Sequence, residues 1–221
     1  MEGKNVLIIY SHSESQSFCS VMKNIIANTL TSNGYQVKIT DLYAIKFFKP
    51  LLPSDFNHIV NKEHFKPQFE QIEANKTPDF AHFTDEVKAE HQKLNWCNFL
   101  LLVFPLYWME MPGLLKNWID RVFSSGFAYA RDKKFENGPM KGKKAMIIAN
   151  AGSSMEYLKS INLWDALNIT LNKATLNFCG FTTLRPFYAF EAAESEELRK
   201  KYLDELKLMF SDPQKIPELK L

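Results

Sequence analysis

Short runs of apolar residues recur along the chain and predict the strands of a sheet. The runs at 5–10 and 99–104 read NVLIIY and FLLLVF, and nearly every residue in them is apolar. Unbroken runs of this kind are typical of strands that are buried on both faces. Two similar runs predict strands at 144–149 and 183–190, and the alternating segment 35–42 (YQVKITDL) predicts one more.

Helical periodicity separates these strands. After the first strand, apolar residues at helical spacing are followed by Gly34, a residue type that commonly ends helices. Another helix is predicted to begin at Pro112, because proline fits the first helical position, and its apolar stripe runs to Phe123. Further helices are predicted at about 83–96, 162–177 and 194–210.

The alternation of strands and helices indicates an α/β fold. It predicts a doubly wound, open parallel sheet of about five strands with helices on both faces. We expect residues 1–221 to form a single domain. Within it, the proline-containing segment 43–95 has weak periodicity and is predicted to be a loop-rich insertion over one face. Residues 211–221 are expected to form a C-terminal arm that lies on the surface or on a partner.

Composition and charge exclude several classes of protein. The net charge of +2 predicts no broad positive surface for nucleic acid. The three cysteines are far apart and odd in number, which predicts neither a disulfide framework nor a metal site and favours a reducing compartment. The first apolar run is too short for a signal peptide, and Pro105 interrupts the longest one well below the ~18 residues of a membrane span. We therefore expect a cytoplasmic protein.

Three loops stand where a doubly wound sheet binds its ligands. Such sheets bind beyond the carboxyl ends of the strands, which here selects residues 11–18, 105–112 and 149–157. The first loop reads SHSESQS, and its hydroxyl groups, His12 and the free N–H groups of the following helix suit a phosphate. The alternative is that a serine in this loop only caps the helix. The two commonest glycine-rich nucleotide motifs are absent from the sequence.

The second and third loops suit a flat ligand. Tyr107, Trp108 and Met109 offer planar or polarisable surfaces, although aromatic clusters are more often part of a core. The third loop has small residues that leave room beside a planar ring, and Tyr157 follows as a hydrogen-bond donor; the alternative is an ordinary strand-to-helix connection. A phosphate end and a flat end together predict a flavin nucleotide in a flavodoxin-like sheet.

Several longer motifs resemble a known family. They are FPLYW, MPGLLKNWIDRVF and GFAYA in the middle of the chain, SHSESQSF and DLYA near its start, and FCGFTTLRP near its end. They are similar to the NAD(P)H:quinone oxidoreductases. The resemblance implies a homodimer with FAD in two sites at the interface. It also implies ping-pong chemistry, in which NADH or NADPH donates a hydride to flavin N5 and leaves, and a quinone then takes the hydride.

The resemblance also implies site residues. His12, Ser17 and Phe18 match the pyrophosphate loop, while Cys19 replaces a usual Asn. Cofactor contacts are further implied or predicted for Pro105, Leu106, Tyr107, Trp108, Asp120, Asn150, Ala151, Gly152, Tyr157 and Arg199. Substrate contacts are expected from Trp108, Met109, Phe127, Tyr129, Arg131 and Phe178, several of them lent by the second subunit. Arg131 replaces a second Tyr, which makes the pocket mouth more polar and positive.

One catalytic residue of the family has no counterpart. The family pairs a Tyr with a His beside the reduced flavin, and Tyr157 matches the Tyr. No histidine follows His91, so Asn150, Asn162 or a backbone donor is left for the second role. One such donor is typically worth ~3 kcal/mol, so we expect an enzyme that is slower or differs in pH dependence.

Two alternatives remain open at this stage. The first is an FMN-dependent azo, nitro or quinone reductase on the same scaffold, because the phosphate loop departs from the family. The second is a flavin-binding regulatory subunit of a potassium efflux channel, like those that resemble this family.

Overall fold

The computed structural model describes residues 3–220 and shows one parallel sheet. Within these residues the sheet has six strands in the order β2-β1-β3-β4-β5, with β6 also paired to β4. Every ladder between named strands is parallel. This order confirms the predicted flavodoxin-like, doubly wound fold. The strands are β1 (Asn5–Tyr10), β2 (Gln36–Asp41), β3 (Phe99–Pro105), β4 (Lys144–Ala151), β5 (Thr182–Thr183) and β6 (Phe187–Phe190).

Helices cover both faces of the sheet. None of the helices within residues 3–220 is long and apolar enough to cross a membrane. The first and last helices pack on one face, and the helices from the third to the sixth pack on the other. The seven are α1 (Phe18–Ser32), α2 (Pro67–Asn75), α3 (Asp85–Trp96), α4 (Gly113–Val122), α5 (Met155–Ser160), α6 (Leu163–Asn168) and α7 (Glu196–Ser211).

The central strand β3 shows why its sequence is an unbroken apolar run. All seven of its residues are buried. Leu100 and Leu102 pack in the layer that contains α4, whereas Leu101 and Val103 pack in the layer that contains α1 and α7. Because helices cover both faces of the sheet, a strand with alternating polar and apolar residues would place polar side chains in a core. The strand is therefore apolar throughout.

The structure corrects two predicted elements after β4. The helix predicted at 162–177 is instead α6 followed by a π-helix, Ile169–Leu176, and a short 3₁₀ turn, Asn177–Cys179. The strand predicted at 183–190 is split into β5 and β6. It is split because Pro186 has no N–H for the ladder and the N–H of Arg185 turns outward to Pro217 O at 2.8 Å.

Two boundaries also differ from the sequence prediction. Pro112 has an extended backbone (ψ 146°) and precedes the helix, so α4 begins one residue later, at Gly113. The loop predicted from residue 149 begins only after Ala151, and α5 already starts at Met155, which places Tyr157 on a helix. Differences of one or two residues are usual at helix ends.

The C-terminal arm lies on its own sheet edge. Its backbone runs antiparallel to the β5 region, where the N–H of Leu219 donates to Thr183 O at 2.9 Å. The Ile216 side chain is buried against the α1 and α7 layer. The arm therefore covers the outer edge of β5; Leu221, the last residue of the predicted arm, and residues 1–2 of the predicted domain lie outside the described residues.

A buried ion pair ties the segment 43–95 to the rest of the fold. Arg121 of α4 is 1% exposed and donates to Asp55 through Nε at 3.0 Å and Nη2 at 2.8 Å. It also pairs with Glu86 of α3, and its guanidinium lies 3.9 Å from the Phe47 ring centroid. The segment includes α2, which the weak periodicity did not reveal. The contacts of Arg121 hold the segment 43–95 against α4, on the sheet face opposite α1.

Candidate functional site

The three predicted loops start side by side at the carboxyl edge of the sheet. Tyr10 pairs with Val103 in the β1–β3 ladder, and Pro105 pairs with Asn150 in the β3–β4 ladder. Beyond the strands, the N–H of Leu106 still donates to Asn150 O at 2.9 Å. The chain reverses its winding between β1 and β3, so these loops surround the switch point at which such sheets bind ligands.

The first loop caps α1 and still leaves donors free. Ser17 is the N-cap, and its Oγ accepts from the Ser20 N–H at 3.2 Å. Capping of this kind satisfies only one of the first N–H groups of a helix. Phe18 and Cys19 occupy the first two helical positions, where an N–H has no carbonyl partner within the helix. The cap and the predicted phosphate loop are therefore compatible.

His12 leaves one donor for an anion, whereas Glu14 occupies another. The Nδ1 atom of His12 accepts from the Glu14 N–H at 2.9 Å, so a neutral ring carries its hydrogen on Nε2 and is a donor there. The carboxylate of Glu14 turns back on its own loop and accepts from the Gln16 N–H at 2.8 Å. The Gln16 N–H is therefore engaged by Glu14 and is not among the donors left for a phosphate.

The second loop is a strained turn with an exposed tryptophan at its tip. Tyr107 and Glu110 exchange two backbone hydrogen bonds of 3.0 Å. Between them, Trp108 and Met109 have φ values of 55° and 58°, a left-handed conformation that is costly for bulky residues. The Trp108 side chain is 99% exposed. A strained turn that holds a large aromatic group in solvent indicates a binding surface.

The residues around this turn differ in what they present. Pro105 and Leu106 are buried and can offer a ligand mainly their backbone. Tyr107 is about half exposed. Partial burial, close to Tyr43 and the Cys19 thiol, raises the pKa of Tyr107, so its phenol remains a hydrogen-bond donor at neutral pH.

A thiol joins the first loop to the third. Cys19 is buried, and its thiol donates to Asn150 Oδ1. Burial raises the pKa of Cys19 to about 12, so the group remains a protonated thiol. The Asn that the resemblance places at position 19 is missing here, but the amide of Asn150 lies directly beside this thiol. In the same loop, Ala151 is buried in β4 and Gly152 is exposed.

Tyr157 lies just beyond the third loop on α5. Its backbone N–H donates to Ser154 Oγ at 3.1 Å, and its side chain is 56% exposed. Among residues 3–220, its hydroxyl has no hydrogen-bond partner. Asn162, one candidate for the missing histidine's role, is exposed and has a left-handed backbone (φ 59°). The two residues are thus available to a ligand but do not contact each other through a hydrogen bond.

A second surface carries most of the predicted substrate wall. Asp120, Tyr129 and Phe178 line one cleft of about 400 Å³ beside α4. The rings of Tyr129 and Phe178 have centroids 5.6 Å apart, and the Lys134 ammonium lies 5.4 Å from the Phe178 centroid. Next to these rings, Gly138 and Gly180 let two backbone segments approach closely, because a Cβ on Gly138 would lie 2.3 Å from the Cys179 carbonyl oxygen.

Phe127 and Arg131 are placed differently from the rest of this wall. Phe127 is partly buried and packs against His91 and Phe80, with centroid distances of 4.4 and 5.4 Å. Arg131 is exposed at the tip of a turn that Ala130 and Lys133 close with two backbone hydrogen bonds. Neither residue lines the cleft: Phe127 packs against His91 and Phe80, and Arg131 is exposed two residues beyond Tyr129.

Asp120 and Arg199, both expected near an adenine, lie on opposite faces of the sheet. Arg199 is on α7 and lines a groove with Phe18 of α1. Its Nη1 donates to the Ala192 carbonyl at 3.0 Å. Asp120 is on α4 and pairs with Lys116 at 2.5 Å. One chain cannot bring these two side chains to the same ligand group.

The predicted site is thus divided between two surfaces. Within residues 3–220, no hydrogen bond or aromatic contact joins Tyr129 or Phe178 to Trp108 or Tyr157. The carboxyl edge carries the phosphate loop and the exposed turn, and the cleft beside α4 carries the aromatic wall. Sequence reasoning also overlooked Tyr10, whose signal was a lone aromatic residue at the end of an aliphatic strand.

Comparisons with known proteins agree with this architecture. A parallel sheet wound in this order, with a phosphate-ready loop at its switch point, defines the flavodoxin-like class. The family model for the flavodoxin-like fold matches residues 4–209. The chain belongs to this family and, within it, to the quinone oxidoreductases that its motifs resemble.

Named relatives cover most of the chain. This chain is 35% identical over 208 residues to a ribosyldihydronicotinamide dehydrogenase (quinone) from Pongo abelii. The match covers 89% of this chain and 87% of the relative. It is 33% identical over 187 residues to NAD(P)H dehydrogenase (quinone) 1 from Cavia porcellus, covering 83% and 67%. A crystal structure of a putative quinone reductase from Klebsiella pneumoniae matches with a TM-score of 0.90 and 25% identity, covering 98% of this chain and 87% of that one.

Proposed function

We propose that this protein is a flavin-dependent reductase that uses a dihydronicotinamide to reduce quinones by two electrons. The observation that carries the proposal is the strained turn that holds Trp108 in solvent, directly beside a loop with free N–H donors. A flat ring with a phosphate tail matches both features. A bound flavin would supply the chemistry, accepting a hydride from the donor and passing it to the quinone in a second step.

The first loop would hold the phosphate end. The N–H groups of Phe18 and Cys19 stand at the positive end of the α1 dipole, and the Nε2–H of His12 adds a third donor. Trp108 and the backbone of residues 105–107 would lie along the flat ring. The residues present therefore fit a flavin nucleotide without a glycine-rich motif.

Two phenols and an amide would serve the reacting end. We assign Tyr157 as the catalytic donor that stabilises negative charge on the reduced cofactor, because it is exposed and its hydroxyl is not engaged within residues 3–220. The Asn150 carbonyl accepts from the N–H of Leu106, next to Tyr107 in sequence, at 2.9 Å, and the side chains of Tyr107 and Asn150 would orient the ring. The hydride step itself needs no histidine. It requires a hydrogen-bond donor that stabilises the negative charge on the reduced flavin, and it requires no protein base.

The hydride donor is a dihydronicotinamide, and the names of the relatives suggest two forms of it. Several are called ribosyldihydronicotinamide dehydrogenases, and others NAD(P)H dehydrogenases. Steady-state oxidation of NADH, NADPH and N-ribosyldihydronicotinamide, each with menadione as acceptor, decides between them. A preference exceeding tenfold in kcat/KM assigns the donor.

We propose that the functional unit is a homodimer with two shared sites. Support comes from the separation of Trp108 from the wall of Tyr129 and Phe178 in one chain, because a second copy can bring the two surfaces together. Exposed apolar side chains occur near both surfaces and would be buried by such a contact. They include Phe48, Leu52, Phe69, Ile72, Trp108, Phe135 and Tyr157.

The proposed chemistry is tested by an anaerobic visible spectrum. The purified protein, supplied with FAD or FMN, receives the dihydronicotinamide and then the quinone. Loss of the flavin band on the first addition and its return on the second are expected. A protein that binds neither flavin, or a bound flavin that the donor leaves oxidised, would refute the proposal.

The shared site is tested by mixing two impaired variants at a flavin concentration that leaves each of them mostly unloaded. If Trp108 of one copy meets Phe178 of the other, a mixed dimer of Trp108→Ala and Phe178→Ala chains contains one intact site and one doubly altered site. We expect mixing to restore activity well above the mean of the two parents, with light scattering reporting a dimer. A site built within one chain would give no recovery.

Three finer points belong to the same proposal. Arg131 is exposed two residues beyond Tyr129, so acidic quinones should be favoured, and an unchanged acceptor preference in Arg131→Tyr would contradict this. FAD is the expected cofactor and FMN the alternative; the mass of the cofactor released from purified protein distinguishes them.

The three cysteines are buried and unpaired, which fits a reducing, cytoplasmic location.

A further inference from the structure

Tyr10 is the last residue of β1 and directly precedes the first loop. Its side chain is 1% exposed and packs in the apolar layer of α1 and α7. Its hydroxyl reaches out of this layer: it donates to the Glu14 carbonyl at 3.3 Å and lies 3.1 Å from Ser17 Oγ. One buried polar group therefore contacts both ends of the turn that leads into α1.

These two partners determine the shape of the loop. The Ser17 N–H donates to the Glu14 carbonyl at 3.2 Å, and Ser17 Oγ caps α1. The Tyr10 hydroxyl contacts both the Glu14 carbonyl and the Ser17 Oγ, so it holds the carbonyl and the cap at fixed positions. Burial raises the pKa of Tyr10, so the hydroxyl keeps its hydrogen. Donors that are fixed before a ligand arrives bind it at a lower entropic cost.

We propose that Tyr10 is a positioning residue, which holds the loop of residues 11–17 in its anion-binding shape and thereby favours flavins that carry a phosphate. The inference rests on the proposed function for its ligand, and on the contacts of Tyr10 for its mechanism. Tyr10 is too deeply buried to touch the flavin, and it acts through Glu14 and Ser17.

The variant Tyr10→Phe isolates the hydroxyl. This variant retains the aromatic ring, and it therefore retains the contact with the Lys23 ammonium, which lies 4.4 Å from the ring centroid. Tyr202→Phe is the matched control, because its hydroxyl donates to the Phe190 carbonyl at 3.0 Å, outside this loop. Affinities are measured for FMN and for riboflavin, which has no phosphate. Loss of one or two neutral hydrogen bonds should weaken FMN binding roughly five- to tenfold.

The pattern across ligands decides the question. Tyr10→Phe should weaken FMN and leave riboflavin unchanged, while Tyr202→Phe changes neither. Unchanged FMN affinity, or an equal loss for both flavins, would overturn the inference.

Amide hydrogen exchange of the flavin-free protein provides a test that needs no ligand. The amides of Ser17 and Ser20 should exchange faster in Tyr10→Phe than in the wild type or the control. Unchanged exchange would overturn the role of Tyr10. By contrast, a wild-type protein that binds no flavin would overturn the proposed function, so the two failures are distinguishable.

Discussion

Acid should destabilise this protein through one buried histidine. The ring of His91 is fully buried, and its Nε2 lies 3.0 Å from the Val122 carbonyl and 3.1 Å from Ser124 Oγ. A carbonyl can only accept, so Nε2 carries the hydrogen and Nδ1 is bare. Nδ1 is buried and has no hydrogen-bond partner among the described residues. Protonation would place a charged N–H there without any acceptor.

The surroundings of His91 give the size of the effect. Three phenylalanine rings lie within 5 Å of the imidazole, those of Phe80, Phe83 and Phe127. Burial among them lowers the pKa of His91 from 6.5 to about 4. A base with a lowered pKa stabilises the fold fully above pH 6.5, and this contribution is lost as the pH falls from 6.5 towards 4. At pH 4.5 the loss amounts to about 2.5 kcal/mol of unfolding free energy.

Urea unfolding between pH 7.5 and 4.5 measures this loss. His91→Gln retains a donor for the Val122 carbonyl but cannot take up a proton. Its unfolding free energy should therefore fall less than that of the wild type, by about 2–3 kcal/mol over this range. His64→Gln, at an exposed position, is the control and should follow the wild type. Parallel curves for the wild type and His91→Gln would refute the reasoning.

Three further predictions concern the site and its support. Trp108→Ala should leave the urea unfolding free energy within about 0.5 kcal/mol, because the side chain is exposed, but weaken flavin binding roughly tenfold in a fluorescence titration. A parallel loss of stability would contradict this. Tyr157→Phe should lower the turnover number of the loaded enzyme roughly 100-fold, and unchanged turnover would remove Tyr157 from the mechanism. Arg121→Met should cost about 3–5 kcal/mol in urea unfolding, because it leaves Asp55 charged and buried, and Asp55→Leu in the same chain should recover much of that loss. A small effect of Arg121→Met alone would show that water reaches Asp55.

The sheet was predictable because its signals are local. The unbroken apolar runs of β1 and β3 specify strands buried on both faces, and the loops after them follow from the fold class. The interruption of the last strand was not predictable in the same way. It depends on Arg185 turning its N–H to Pro217, a contact between residues 32 positions apart in sequence.

The candidate site shows the same contrast. The motif around Trp108 identified an aromatic turn, but its left-handed backbone and full exposure arise from three-dimensional packing. Tyr10 was interpreted as one more strand residue, because a local sequence pattern does not show which groups a buried hydroxyl contacts. The separation of Trp108 from Phe178 is visible in no local pattern; it was implied only by the family resemblance, in which the second subunit lends part of the wall.

The three thiols of this chain have a practical consequence for labelling. Cys19, Cys97 and Cys179 are all buried, and burial raises their pKa values to about 12, 11 and 12. Maleimide dyes react with exposed thiolates, so the native cysteines should stay unmodified in the folded protein. A single cysteine introduced at an exposed position such as Lys133 would then carry a dye alone. Energy transfer between dyes on two copies would show whether copies of this chain associate, without removal of any native cysteine.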